Sequence, residues 1–547
     1  MKINLKQIIV WCDRNLLFYL SLFLLLFIPL WPKIPLADLI PGYIVRLRLE
    51  DILVFITFII YLIQIYRQKV NWQMPTWKLI IANISLGLMG ILSGMLLINT
   101  IPLETLHIGK SLLHWARYIE YFFLAFLFFS TLNNRKQIKI LFITMLIAVS
   151  AISLYGIGQK YFYWPLYSTM NREFSKGIKL YLTPHARVQS TFGGHYDFAA
   201  YLVLLLPFTL LLAKNTKTKW KKCLIWLVHI LGLWSLIVSA ARTSIVAYFV
   251  SVLIIYTIYY FINQQDRLKQ KIKNFLGHLI VYFGLLGVLI FFFGHDMIER
   301  FSHTLENIEP IRNAYHTANK WRLELPYLLG WKEIEPPANA LAVVVDELGN
   351  NMIASMPKPV VTPTDSRPKP TRPADVYEDI PDIIYEIDAT GEVTMIEATR
   401  TWSVNAEKYG LSMAIRLDTL WPNAWRGFLR NPLLGSGYGM INKGESINLL
   451  TDADSTDNNY LRTLGETGIL GFLTFYGLSL TAIWMSSKNL RNKNNELNLI
   501  NLAFLSGAIG FLINAAYIDV FAASKAAFTF WMVYGIFWAN QKINKQL

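Results

Sequence analysis

Runs of about 16 to 27 predominantly apolar residues recur along this chain and are separated by polar segments. Helices of this length span the hydrocarbon core of a bilayer, and in lipid a helix satisfies its own backbone hydrogen bonds. The pattern predicts an all-α polytopic membrane protein with about twelve transmembrane helices. The predicted spans are residues 16–31, 51–66, 79–99, 115–131, 140–158, 198–213, 223–241, 244–262, 275–294, 460–486, 497–517 and 525–540.

One long polar segment interrupts this pattern and ends in Asp457-Asn458-Asn459-Tyr460-Leu461. It predicts a membrane region at residues 1–294, a large loop at 295–459 and a second membrane region at 460–547. Residues 333–407 of the loop hold 14 acidic and 5 basic residues. The loop is predicted to contain helices at 300–330 and 410–430, a Pro-rich stretch at 357–373 and a β-hairpin at 383–398 around Thr390-Gly391.

The charge distribution indicates which side each loop faces. The net charge of +15 would favour a nucleic-acid partner in a soluble protein, but only 16% of residues are charged and 54% are hydrophobic. Five alternate short loops hold 18 Lys and Arg in 49 residues, whereas the four intervening short loops hold nine in 80. By the positive-inside rule, both termini are cytoplasmic, the large loop is external, and no nucleic acid is expected.

The first apolar run and the two cysteines fit the same interpretation. The run at residues 16–31 is long and lacks a small-residue cleavage site, so it indicates a first span and not a cleaved signal peptide. Cys12 and Cys223 both fall at predicted cytoplasmic ends of spans, so we expect no disulfide framework.

Three polar groups lie on the predicted outer side. They are residues 187–197, with Arg187 and His195; Arg242-Thr243-Ser244 between spans seven and eight; and residues 457–462. Arginine near a bilayer is costly and usually has a partner or a ligand. Two such arginines suit a diphosphate, which the guanidinium fork binds bidentately, and a nearby carboxylate suits alignment or deprotonation of a hydroxyl.

Each candidate also has a structural interpretation. Arg242 alone suits a helix anchor at the lipid interface, and Arg187 suits an ion pair with Asp197. Asp457 suits the N-cap of the tenth span, because Asp is a preferred capping residue. Arg117 with Glu120 is interpreted as an intramembrane ion pair, and His195 as a loop histidine. Glu104, His107 and His114 resemble a metal cluster only loosely and predict no metal site.

The order of four segments resembles the O-antigen ligase and O-antigen polymerase family of bacterial envelope enzymes. The run 431–439, NPLLGSGYG, is similar to the family's NPLLGxGxG segment and follows a helix with Arg416. Asp457-Asn458, nine residues, Gly468, two residues and Gly471 resemble its HN-x9-GxxG signature. Arg242-Thr243 resembles its Ser-Arg element, and Arg187 with residues 191–193 resembles the loop before its central span.

This resemblance implies transfer of a glycan from a polyprenyl diphosphate to an acceptor glycan or glycolipid at the outer face of the inner membrane. It implies inversion at the anomeric carbon and no metal or nucleotide cofactor. Asp457, Arg242 and Arg187 are then the expected catalytic residues. The residues expected to bind substrate are Asn458, Tyr460, Arg462, Arg416 and His195.

Two positions depart from the family pattern, because Asp457 replaces the signature histidine and Ala241 replaces the serine before Arg242. An aspartate near two arginines is expected to have a lowered pKa, which would make it a weaker base. We therefore expect Asp457 to orient the acceptor, and the departure favours a polymerase over a ligase. The alternatives are a polytopic transporter or lipid-linked glycan flippase, and an interaction scaffold built on the acidic insert.

Overall fold

The computed structural model divides the chain into two units, Met1–Phe301 with Ala374–Leu547, and Ser302–Pro373. Within the second unit it describes only Asn313, Thr317 and Trp321, which are helical, so most of the predicted helix at 300–330 and the whole Pro-rich stretch lie outside the described residues. In the first unit the described residues are 5–40, 46–170, 174–182, 186–261, 267–298, 383–387, 393–397, 411–441, 455–490 and 495–545.

The first unit is mainly helical, as the apolar pattern predicts. Each predicted span coincides with a helix. The long helices are α1 (Leu5–Leu30), α2 (Leu49–Tyr66), α3 (Trp77–Leu96), α4 (Thr105–Thr131), α5 (Arg135–Phe162), α6 (His195–Asn215), α7 (Lys219–Val238), α8 (Arg242–Phe261) and α9 (Leu268–Phe293). After the large loop follow α12 (Asn459–Asn489), α13 (Asn495–Asn514) and α14 (Ser524–Lys545), with α10 (Leu411–Ile415) and α11 (Trp421–Arg430) before them.

Fewer helices meet the requirements of a membrane span than the sequence pattern predicts. Within the described part of the chain, nine helices are long and apolar enough to cross a bilayer. Two shorter apolar stretches, Asn15–Leu30 and Asn498–Asn514, lie within α1 and α13. A multi-pass membrane protein is therefore confirmed, whereas the exact count of twelve is not.

The core of the first unit is built around α6. The apolar stretch of α6 is 83% buried, whereas that of α9 is 17% buried. A helix that is apolar all round belongs inside a bundle, and α6 packs against α7, α8, α13 and α14. The exposed apolar side chains of α9, such as Ile280 and Val281, suit contact with lipid.

Several helix ends meet at one end of this bundle. Lys525 Nζ at the start of α14 donates hydrogen bonds to the carbonyl oxygens of Pro29 in α1 (3.1 Å) and Thr191 before α6 (2.7 Å). The backbone N–H of Asn459 at the start of α12 donates to the Ala515 carbonyl after α13 (2.7 Å). We call this end the Arg187 end, because the loop that carries Arg187 belongs to it.

The predicted helix at 410–430 is confirmed and contains a π-helical turn. Helix α10 continues through this turn at Arg416–Leu420 into α11. Single π turns within α-helices are frequent at functional sites because they redirect side chains. Here the turn places Arg416 in a buried position.

The Gly-rich run 435–439 packs tightly against α12. Gly435 has a φ of +73°, and a Cβ added there would lie 2.4 Å from the backbone carbon of Glu466. Gly468 has a φ of +63° inside α12, and a Cβ added there would lie equally close to the backbone of Leu433. The glycines that resemble the family signature therefore allow close backbone packing between this loop and α12.

Four short strands and a 3-10 helix at Phe174–Lys176 complete the described elements. The predicted hairpin is confirmed: β3 (Ile383–Ile387) pairs antiparallel with β4 (Val393–Glu397), with Ile387 opposite Val393. Before α2, β1 (Pro35–Asp38) and β2 (Arg46–Arg48) form a second antiparallel pair. The domain boundaries drawn from the sequence stay predictions.

Candidate active site

The loop before α6 holds Arg187 in a defined position. The Val188 backbone N–H donates to the carbonyl of Val238 at the end of α7 (3.2 Å). The Ser190 hydroxyl donates to the carbonyl of Ile152 in α5 (2.7 Å). Because these bonds attach the residues directly after Arg187 to α7 and α5, Arg187 is presented from a fixed backbone.

Arg187 contacts the first turn of α6. Its guanidinium bonds to His195 Nε2 and donates to the Tyr196 hydroxyl (3.2 Å), and it lies 5.7 Å from the centre of the Tyr196 ring. His195 is buried and is the first residue of α6, so it is not a loop histidine. Asp197, the ion-pair partner weighed from the sequence, interacts electrostatically with Lys33 and Lys525.

Arg242 begins α8 directly after the tight turn that follows α7. Ala240 in this turn has a left-handed backbone with φ +48°, and the turn is short, as the two residues between the predicted spans 223–241 and 244–262 indicate. The Arg242 guanidinium is half-buried and interacts electrostatically with Tyr196, Arg187 and Arg416. The three arginines therefore converge around Tyr196.

Arg416 connects the arginines to Asp457. Its Nη2 lies 2.9 Å from Asp457 Oδ2, and its guanidinium lies 5.9 Å from the ring centre of Tyr517. Arg416 is buried, whereas the Asp457 side chain is 38% exposed. Tyr196 interacts electrostatically with both Arg416 and Asp457, so Asp457 belongs to the same cluster. We call Arg187, Arg242, Arg416, Tyr196 and Asp457 the arginine cluster.

Asp457 precedes the N-cap of α12 and is not the cap itself. The Asn458 side chain accepts hydrogen bonds from the backbone N–H groups of Tyr460 (3.0 Å) and Leu461 (3.1 Å). Asp457 has a left-handed backbone with φ +48°. This conformation turns the chain immediately before the helix, and the Asp457 carboxylate remains available for Arg416.

The environment of Asp457 differs from the one expected from the sequence. Burial raises the pKa of the Asp457 carboxyl above its ordinary value, and the nearby Asp519 carboxylate raises it further, although Arg416 and a hydrogen bond from Ser455 oppose this shift. The expected lowered pKa is therefore wrong. A raised pKa makes Asp457 a better proton acceptor, because its conjugate acid is weaker.

Three residues predicted to bind substrate are engaged in internal contacts. Asn458 caps α12. The Tyr460 hydroxyl donates to the carbonyl of Leu512 (2.7 Å). Arg462 is buried and pairs with Glu466 and Asp519, each at 3.1 Å. These contacts give the three residues a role in positioning the start of α12.

Two residues of the site carry no assignment from the sequence. Tyr196 stands next to His195 in the Arg187 segment, and only the fold shows that its side chain lies between the arginines. Asp519 lies in the connection between α13 and α14, where it accepts hydrogen bonds from the segment around Asp457. In the sequence, the feature that could have drawn attention to Asp519 is its charge within the otherwise uncharged run 515–523.

Comparison with known protein families agrees with this arrangement. Residues 386–476 match the family model described as O-Antigen ligase. This segment of the chain is therefore similar to that family. The matched segment includes Arg416, the Gly-rich run and Asp457, whereas Arg187 and Arg242 lie before it. No curated protein matches the chain. The family match and the apolar helices together support a multi-pass membrane protein with a role in glycan processing.

Proposed function

We propose that this protein transfers a glycan from a polyprenyl-diphosphate carrier to a hydroxyl of an acceptor glycan or glycolipid. The observation that carries the proposal is the arginine cluster, in which three guanidinium groups and one carboxylate converge at one end of the helix bundle. Such a set suits an anionic leaving group and a hydroxyl nucleophile in the same site.

Arg187 and Arg242 are assigned to the diphosphate. Each presents a guanidinium from a fixed element, the loop before α6 and the first turn of α8. Negative charge grows on the diphosphate as its bond to the sugar breaks, and fixed cations stabilise that charge most in the transition state. Arg187 and Arg242 thereby accelerate departure of the carrier.

Asp457 is assigned to the acceptor. The acceptor hydroxyl gives its proton to the Asp457 carboxylate as its oxygen forms a bond to the anomeric carbon. The bond from that carbon to the diphosphate oxygen breaks, and its electron pair stays on the diphosphate. Attack opposite the leaving group inverts the anomeric centre. Asp457 is partly exposed, so it returns the proton to solvent.

Arg416 is assigned to orienting the carboxylate. Its 2.9 Å contact with Asp457 Oδ2 holds the carboxylate from one side. The other oxygen, Oδ1, accepts from the Ser455 hydroxyl (3.0 Å) and has a second lone pair for the acceptor. We further propose that the Arg187 end faces the outside of the cytoplasmic membrane, because the basic residues concentrate in the loops at the opposite helix ends. The proposed reaction needs neither a metal ion nor a nucleotide.

The test separates donor binding from transfer. Purified protein in lipid nanodiscs is supplied with a polyprenyl-diphosphate oligosaccharide and an acceptor. Asp457→Asn should bind the donor as the wild type does but transfer glycan at least about 100-fold more slowly, because it cannot accept the proton. Arg242→Ala should weaken both steps, whereas Arg426→Ala, which removes an exposed arginine from α11, should change neither. Full transfer by Asp457→Asn would contradict the proposal.

A further inference from the structure

Asp519 is the hydrogen-bond acceptor around which the segment before α12 is organised. It is buried in the connection between α13 and α14. Its Oδ1 accepts from the Thr456 hydroxyl (2.9 Å) and the Asn458 backbone N–H (3.1 Å). Its Oδ2 accepts from the Thr456 backbone N–H (3.0 Å), Arg462 Nη1 (3.1 Å) and the Ser455 hydroxyl (3.2 Å).

We propose that Asp519 is a positioning residue for Asp457. The residues on both sides of Asp457 donate their backbone N–H groups to this one carboxylate. Asp457 itself adopts the left-handed conformation, which non-glycine residues keep only when neighbouring contacts hold it. Asp519 therefore fixes where the Asp457 carboxylate points. This inference rests on the proposed function for its catalytic consequence but not for its structural part.

Arg462 offsets the energetic cost of burying the Asp519 carboxylate. An unpaired charge inside a protein is strongly unfavourable, and the 3.1 Å contact between Arg462 and Asp519 provides the compensating charge. Arg462 also donates to Glu466 Oε1 (3.1 Å), which in turn accepts the Gly439 N–H (3.1 Å). Asp519 is thus bonded to α12 through Arg462, and Glu466 connects α12 to the Gly-rich run.

Asp519 and Ser455 act on Asp457 in opposite directions. Among the residues that the structure describes, four groups lie near the Asp457 carboxylate: Arg416 at 2.9 Å, the Ser455 hydroxyl at 3.0 Å, and Tyr196 and Asp519 within electrostatic range. The negative charge of Asp519 favours protonation of Asp457, whereas donation from Ser455 favours its ionised form. Removing one or the other should move the proton affinity of Asp457 in opposite directions.

The structural part is tested by hydrogen exchange on the full-length protein in nanodiscs. Asp519→Asn should increase exchange at the Thr456 amide or the Asn458 amide by at least about tenfold, because the side-chain NH2 group replaces one of the two carboxylate oxygens that accept from these N–H groups. The amides of α6 and α8 should keep their protection. Unchanged exchange at both sites would overturn the proposal. If Asp519→Asn does not fold, Thr456→Val removes the hydroxyl that bonds to Asp519 and to the Asn458 backbone, and it should give a smaller increase at Asn458.

The catalytic part is tested by the pH dependence of kcat. Asp457 must be ionised to accept a proton, so the rate falls below its pKa. Asp519→Asn should move this acidic limb to lower pH by about one pH unit and Ser455→Ala should move it to higher pH. Both should leave KM for the lipid-linked donor within about twofold, because the donor is held by the arginines.

The controls separate this inference from the proposed function. Asp38→Asn removes an exposed carboxylate that pairs with Arg46 and should move neither the limb nor the exchange rates. Limbs that shift in the same direction for Asp519→Asn and Ser455→Ala, or that do not shift, would overturn the positioning role. If the wild type transfers no glycan, the proposed function fails, and the exchange experiment still decides whether Asp519 holds the segment.

Discussion

Replacing Arg242 with alanine removes one of the two guanidinium groups assigned to the diphosphate. Arg416, the third arginine of the cluster, is paired with Asp457 at 2.9 Å, so it is not free to replace the lost contact without releasing the carboxylate. Hydrogen bonds to charged groups contribute about 1.5–3 kcal/mol each. Since each 1.36 kcal/mol is about tenfold in rate, Arg242→Ala should lower kcat/KM by about 10- to 150-fold.

The loss should divide unequally between binding and chemistry. Charge on the diphosphate is larger in the transition state than in the bound donor, so kcat should fall more than KM rises. Arg242→Lys keeps the charge but loses the planar fork, and it should recover only part of the rate. The assay follows transfer of a labelled oligosaccharide from its polyprenyl-diphosphate carrier in nanodiscs, with Arg426→Ala as the matched control.

A double-mutant cycle with Arg187 tests whether both arginines serve the same group. Arg187 and Arg242 are within electrostatic range of each other, and residues that share a ligand couple by about 0.5–3 kcal/mol. The double variant should therefore be less impaired than the product of the single effects. The reasoning would be refuted by an Arg242→Ala enzyme within twofold of wild type, or by strictly additive losses.

Three further predictions concern other parts of the site and fold. Because burial raises the pKa of Asp457, the transfer rate should fall with decreasing pH at values above the ordinary range of an aspartate. This acidic limb of the pH–rate profile should be absent from the residual rate of Asp457→Asn. An identical limb in that variant would assign the titration to another group. Tyr196→Phe removes the hydroxyl that accepts from Arg187 at 3.2 Å, so kcat/KM should fall by about 2- to 10-fold, and an unchanged value would place Tyr196 outside the site. Gly435→Ala puts a Cβ 2.4 Å from the Glu466 backbone at φ +73°, so it should destabilise the protein by about 1–3 kcal/mol and lower its Tm in detergent. Gly284→Ala, whose Cβ would meet open space, should leave the Tm unchanged.

The sequence was sufficient for the parts of the fold that depend on local pattern. Apolar runs predicted the helices because lipid-spanning segments must be long and continuous. The alternation around Thr390-Gly391 predicted the β3–β4 hairpin, and the Arg117–Glu120 pair, three residues apart, was predicted and lies at 2.7 Å. Each of these features is decided by neighbours close in the chain.

The parts that the sequence did not reveal depend on contacts between distant segments. Asp519 lies more than sixty residues after Thr456, and nothing in its local sequence indicates that it accepts the Thr456 N–H. The direction of the Asp457 pKa was wrong because it was inferred from nearby arginines alone, whereas burial makes the largest contribution. Arg462 was expected at the substrate because it belongs to the polar segment 457–462, and only the fold shows that it pairs with Glu466 and Asp519.

The most direct test of the central claim is the stoichiometry of a single turnover by the purified wild-type protein in nanodiscs. A donor labelled separately in the glycan and in the carrier distinguishes transfer from movement. The account predicts one free polyprenyl diphosphate released for each glycan that becomes covalently attached to the acceptor, with both products formed at least about tenfold more slowly in Arg242→Ala. Glycan that stays attached to its carrier under every acceptor condition would contradict the account and favour a flippase.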